Sequence, residues 1–191
     1  AIEEASTRLL KYKEHFKLMG ADRNSYSKTD IEATFMRMKD DHMQNGQLKP
    51  AYNVQIAVEN YFIIHTYISN DRTDYNTLIP VLEKHKKYLK KFPQEVTADS
   101  GYSSEANLVY LKNNNIDSYI KLQMHEKMKT RAYKKDIGKF YNMEKVITQD
   151  GVHFICKDGR KLQYEHSEYR NKNGYRHNFE VYSCKNCSDC E

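Results

Sequence analysis

The sequence of 191 residues predicts a mixed α/β fold followed by a small β module that carries cysteines. Three observations point there. Residues 51–122 arrange their apolar positions as two alternating runs, a helical run, a short strand, a second helical run and a last strand, the order β-β-α-β-α-β. After Gly138 the chain turns to short alternating stretches broken by Asp-Gly and Asn-Gly pairs, the chemistry of tight β turns. All four cysteines, at 156, 184, 187 and 190, fall in that later part.

Taken in order, residues 3–19 space Ala5, Leu9, Tyr12, Phe16 and Met19 as one face of a helix, with Gly20 as its stop. Residues 22–50 are polar and irregular, and long segments of that kind are commonly functional or disordered. Within them Asp30 reads as the N-cap of a short helix through Ala33 to Met38, in preference to a neighbour of an active site. Lys49 suits a phosphate contact or plain solvation equally, and Asp40, Asp41 and His42 read as polar surface. From Tyr52 the period becomes two: Tyr52, Val54, Ile56 and Val58 alternate with polar residues, and "YFIIHTYIS" is the hairpin partner. A helix follows, opening near Asp74 or Asn76 with Leu78, Ile79, Leu82 and Tyr88 or Leu89 on one face. Pro80 falls in its first turn, where the missing N–H is harmless. "QEVTADS" is a strand, "SSEANLVYLKNNN" a helix capped by Ser103 or Ser104, and "IDSYIKL" a strand.

Charge is unevenly spread. Between Tyr119 and Lys139 stand Lys121, Lys127, Lys129, Arg131, Lys134, Lys135 and Lys139 against Glu126 and Asp136, which accounts for the whole net charge of +5. With Tyr119, Tyr133 and Phe140 interleaved, this segment suits a phosphate backbone, a solvated surface run being the alternative. Lys121, Lys127, Lys129, Arg131, Lys134 and Lys135 are the candidate DNA contacts. No run approaches the roughly 18 apolar residues of a membrane span, and no secretory signal pattern opens the chain, so a cytoplasmic location and no membrane partner are expected. The opening at Ala1 and the end just after Cys190 read as a piece of a longer protein.

Cys184, Cys187 and Cys190 form C-x2-C-x2-C, and Cys156 precedes them before "KDGRKL". Thiolates at that spacing can face one ion, so the four compose a tetrahedral zinc set in a zinc-ribbon-like module. Ordinary reduced thiols are the alternative, with His153, His166 and His177 as substitute ligands. Asp99 poses a separate question. It sits at the tip of a strand before Gly101, where desolvating a carboxylate is costly unless hydrogen bonds or a cation compensate it. From its position alone, a helix cap and a cation ligand both remain open.

The runs "RNSYSKTDIEATFMRMKDDHMQNGQLKPAYNVQIAVEN", "VTADSGYSSEANLVYL" and "CKNCSDC" resemble the DDE transposases of bacterial insertion sequences, in the group with a cysteine-rich insertion after the second catalytic aspartate. The resemblance runs from about Tyr12 to Cys190. It implies a partial RNase H-like mixed sheet with flanking helices. In that family Asp, Asp and Glu hold two divalent ions, Mg2+ or Mn2+, for cleavage and strand transfer on DNA. Asp99 matches the second aspartate. The first aspartate and the glutamate have no counterpart, so the chain is expected to be a transposase fragment that is inactive alone. The domains expected are a helix and irregular segment at 1–50, a partial catalytic core at 51–139 and a truncated cysteine module at 140–191. Homo-oligomers belong to the full-length parent, and an exposed apolar edge is expected at 52–69. A non-catalytic nucleic-acid-binding derivative is the second reading. A hydrolase of another RNase H-like type would need a second acid beside Asp99.

Overall fold

The structure, a computed structural model, describes residues 2–185 apart from 22, 39, 137, 150 and 173. Cys187 and Cys190 therefore lie outside the described residues. The chain forms two compact units, residues 1–120 and 121–191. No described helix is long and apolar enough to cross a membrane.

The first unit opens with α1 (Ile2–Met19), whose Glu3 and Glu4 lie in the first turn and Lys17 in the last, as the helix dipole favours. None of its residues is buried, so its apolar face is formed but packs against little. Arg23 ties its end to the following loop, donating to the carbonyls of Leu18, Met19, Ile31 and Glu32 at 2.7–3.0 Å.

The segment expected to be irregular is ordered as a second element. β1 (Thr34–Arg37) and β2 (Leu48–Ala51) pair antiparallel, with Thr34 and Met36 buried on one face. The helix expected from Ala33 to Met38 is therefore a strand, and Asp30 caps no helix. The alternation of Thr34 and Met36 toward one side is a two-residue period, which a helix does not supply. Asp30 instead closes a turn, its Oδ1 accepting the Glu32 N–H at 3.1 Å and its Oδ2 the Tyr52 hydroxyl at 2.9 Å.

β3 (Asn53–Glu59) and β4 (Phe62–Ser69) form the expected hairpin, with a bulge between Ala57 and Val58. Its buried residues are polar, Gln55, His65 and Ser69, while Val54, Ile56, Val58, Ile63 and Ile68 are exposed. The 3-10 turn Asp74–Asn76 leads into α2 (Leu78–Leu89), one turn later than the sequence suggested. β5 (Glu95–Ala98) pairs parallel with β6 (Asp117–Ile120) across α3 (Glu105–Asn113), a β-α-β crossover. Ser104 caps α3 by accepting the Asn107 N–H.

The core is Leu78, Leu82, Leu111 and Ile116, with Val96, Tyr102 and Ile120 packed against it. Leu111 is 0% exposed, and burial of such a side chain contributes about 1.5–3 kcal/mol. Buried Asn107 fastens the crossover to the turn before α2, donating to the carbonyls of Tyr75 at 3.0 Å and Tyr102 at 2.9 Å. The β-β-α-β-α-β order is thus present, in a mixed α/β architecture of small sheets and flanking helices. Among the described residues the hairpin and the parallel pair are separate two-stranded ladders.

The second unit begins with the short helices α4 (His125–Lys129) and α5 (Arg131–Lys135) and the 3-10 turn Phe140–Asn142. β7 (Glu144–Thr148), β8 (Gly151–Ile155), β9 (Lys161–Lys172) and β10 (Tyr175–Ser183) then make an antiparallel sheet in the order β10-β9-β8-β7. Phe154 is its buried centre, with Phe140 and Tyr182 edge-on at 4.7 Å. The basic helices are pinned to this sheet's unit by Lys157, which donates to the Lys134 carbonyl, and by Asn142, which donates to the Tyr133 carbonyl, both at 2.6 Å.

Candidate active site

Asp99 follows directly on β5 and opens the 3-10 turn Ser100–Tyr102. Its Oδ1 accepts the Gly101 N–H at 2.7 Å, so it does cap a turn, though not α3. The carboxylate is exposed at the C-terminal end of a parallel strand, the end at which open α/β sheets place ligands.

A second carboxylate stands beside it. Asp74, half-buried in the turn before α2, is held by two amides from β3: its Oδ1 accepts from Asn53 Nδ2 at 2.8 Å and Gln55 Nε2 at 2.9 Å. Its Oδ2 faces Gly101. A Cβ at position 101 would lie 2.9 Å from Asp99 Oδ1 and 3.0 Å from Asp74 Oδ2, so these two oxygens are at most about 6 Å apart. A side chain at 101 would press on both carboxylate oxygens. Tyr102 completes the group, its hydroxyl donating to Gln55 Oε1. Burial, then the charges of Asp74 and Asp99, push the Tyr102 phenol up to about 12. It is therefore a proton-bearing donor throughout the neutral range.

Sequence reasoning placed Asp99 at a strand tip but missed Asp74, Asn53, Gln55 and Tyr102. Asp74 read only as a helix opening. Asn53 and Gln55 read as the solvent side of a strand, although two amides in a row on one strand face were the available signal.

The other candidates are elsewhere. α4 and α5 expose Lys127, Lys129, Arg131, Lys134 and Lys135, with Lys121 just before them. Glu126 pairs with Lys121 at 2.5 Å and Lys129 at 3.4 Å; the hydrogen bond and charge of Lys121, with Lys129 beside it, hold its carboxyl below the usual range. Lys127, Arg131, Lys134 and Lys135 make no ion pair among the described residues. Lys49 lies within β2, and Asp41 secures its own loop by accepting the Gly46 N–H at 2.7 Å.

Cys156 follows β8 and Cys184 follows β10. β9 runs between those strands. Among the described residues no three His, Cys, Asp or Glu side chains gather as a metal group, in either unit.

A family model described as "Transposase DDE domain" matches residues 23–186. No curated protein and no solved structure gives a match.

Proposed function

The chain belongs to the transposase DDE domain family, and from that premise we propose that Asp99 is a metal-ligating carboxylate of a DNA cleavage and strand-transfer centre. The observation that carries this reading is the placement of Asp99 and Asp74 on either side of Gly101 at the open end of β5. Carboxylate oxygens are the donors that Mg2+ and Mn2+ prefer, so the residues fit the ions that the family uses. Two such ions, when bound, stabilise the entering and leaving oxygens of a phosphodiester displacement. The chain's own part is to orient. The Asn53 and Gln55 amides fix Asp74, the Gly101 N–H fixes Asp99, and Tyr102 holds Gln55 in place.

Asp74 is the second acid that a hydrolase of another RNase H-like type would need, but a third is not gathered among the described residues. Two carboxylates offer limited charge compensation to an ion that gives up water reluctantly. We infer a chain that is inactive alone, a fragment of the catalytic assembly of its full-length parent. The exposed cations of α4 and α5, with Lys121, supply contacts to the DNA backbone. Cys156, Cys184, Cys187 and Cys190 supply the thiolates for a zinc ion in the second unit.

The second reading, a non-catalytic DNA-binding derivative, is favoured by the same pair, which no third carboxylate joins among the described residues. Supercoiled DNA incubated with the chain in Mn2+ tests the first reading's prediction. Salt-sensitive binding without nicking is expected, and nicking that disappears in Asp99→Ala would overturn the inference of an inactive chain.

A further inference from the structure

The long hairpin of β9 and β10 carries features that the cleavage site does not use. Side chains alternate along a strand, so Tyr175, His177 and Phe179 share one face of β10. The register sets Lys172, Arg170 and Glu168 directly opposite them on β9. Between Tyr169 and Phe179 the described residues include Arg170, Lys172 and Arg176 and no acid.

The rings lie at useful spacings. The His177 and Phe179 centroids are 6.1 Å apart with planes within 26°, and Tyr175 meets His177 edge-on at 4.8 Å. Near-parallel planes side by side make one apolar platform of the two rings. Cations sit over exposed rings on both faces: Arg170 at 5.1 Å from Phe179, and Arg176 at 3.7 Å from Tyr169. Phe179 is 41% exposed and Tyr169 56%. The Arg170–Glu168 pair at 2.5 Å is exposed, so it holds Arg170 weakly.

We propose that the β9–β10 hairpin binds single-stranded DNA, stacking unpaired bases on the His177–Phe179 face while Arg170 and Lys172, on the same face, contact the phosphates. The inference rests on the reading of the chain as a protein that works on DNA. Rings interleaved with cations match a polyanion whose bases present open π faces. A duplex shows a hairpin only phosphates and base edges, because its base faces are covered by one another. Gly174, at φ +77° in the turn between the strands, lets the hairpin reverse tightly enough to keep these cross-strand pairs in register.

The test is fluorescence anisotropy on the full chain, with labelled oligo-dT of about 16 nucleotides, a duplex of equal length and oligo-rU. Phe179→Ala is expected to weaken oligo-dT binding about tenfold and to leave duplex binding within about twofold, with Phe179→Tyr retaining both. Arg170→Ala with Lys172→Ala is expected to weaken oligo-dT binding and flatten its salt dependence. Equal loss on both DNAs, no loss with Phe179→Ala, no binding of oligo-dT, or tighter binding of oligo-rU would each overturn the proposal. A Lys127→Ala, Lys129→Ala, Arg131→Ala variant reports separately on the basic helices. If the chain binds oligo-dT but shows no duplex binding for that variant to lose, the reading of α4 and α5 fails while the hairpin stands.

Discussion

Tyr102 shows how a single side chain joins the sheet to the site. Its ring packs against the Leu78–Leu111 core, and its hydroxyl reaches the buried Gln55, whose amide holds Asp74. Tyr102→Phe leaves a buried amide oxygen without its donor, so a loss of about 1–3 kcal/mol is expected in urea unfolding at neutral pH. The raised phenol gives a second signature. Because the folded state favours the protonated form, its stabilisation is complete below the ordinary phenol value of 10 and is lost as pH rises toward about 12. The stability difference between wild type and Tyr102→Phe should therefore shrink across that window. A difference independent of pH there would show that the hydroxyl is not buried beside the two carboxylates. None of this was legible in sequence, since Tyr102, Gln55 and Asp74 meet only through tertiary structure. Asp99 was legible, because a short apolar strand ending in Asp-Ser-Gly places a carboxylate at a tip whatever the partners.

At the scale of elements, periodicity carried far where segments were long. Leu78 and Leu82 on α2 announce their helix because it buries one stripe, whereas the alternation of β3 marked a strand but not its buried face, since Gln55 is buried and Val54, Ile56 and Val58 are exposed. The pair β1–β2 was hidden because four-residue strands show only two periods, and Pro50 within β2 argues against a strand unless it lies on an edge. Asp30 misled for a related reason: an aspartate that closes a turn before a strand has the same local signature as one that caps a helix. The β module carries its own prediction. Elemental analysis of the chain purified in metal-poor buffer should find stoichiometric zinc that is lost with Cys184→Ser and Cys187→Ser. Zinc-free protein with unchanged folding would refute a structural metal in the second unit.

Across the whole molecule, chemistry is divided between the two units. The first gathers Asp74 and Asp99 at the end of β5, and the second holds the excess positive charge on the segment from Lys121 to Lys139. One unit thus presents oxygens suited to divalent cations, and the other presents cations suited to phosphates. That division accords with membership in the transposase DDE domain family. Composition already announced the second half of it, since the net charge resides in one segment. The first half required the fold, because residues 74 and 99 are brought together only by the turns before α2 and after β5.

The most direct test of the central claim is calorimetric titration of Mn2+ into the wild-type chain, Asp99→Ala and Asp74→Asn. The account predicts weak binding in the wild type, its disappearance with Asp99→Ala and its reduction with Asp74→Asn. Binding indifferent to both substitutions would contradict the assignment of this carboxylate pair as the metal-ligating remnant of a DNA cleavage centre.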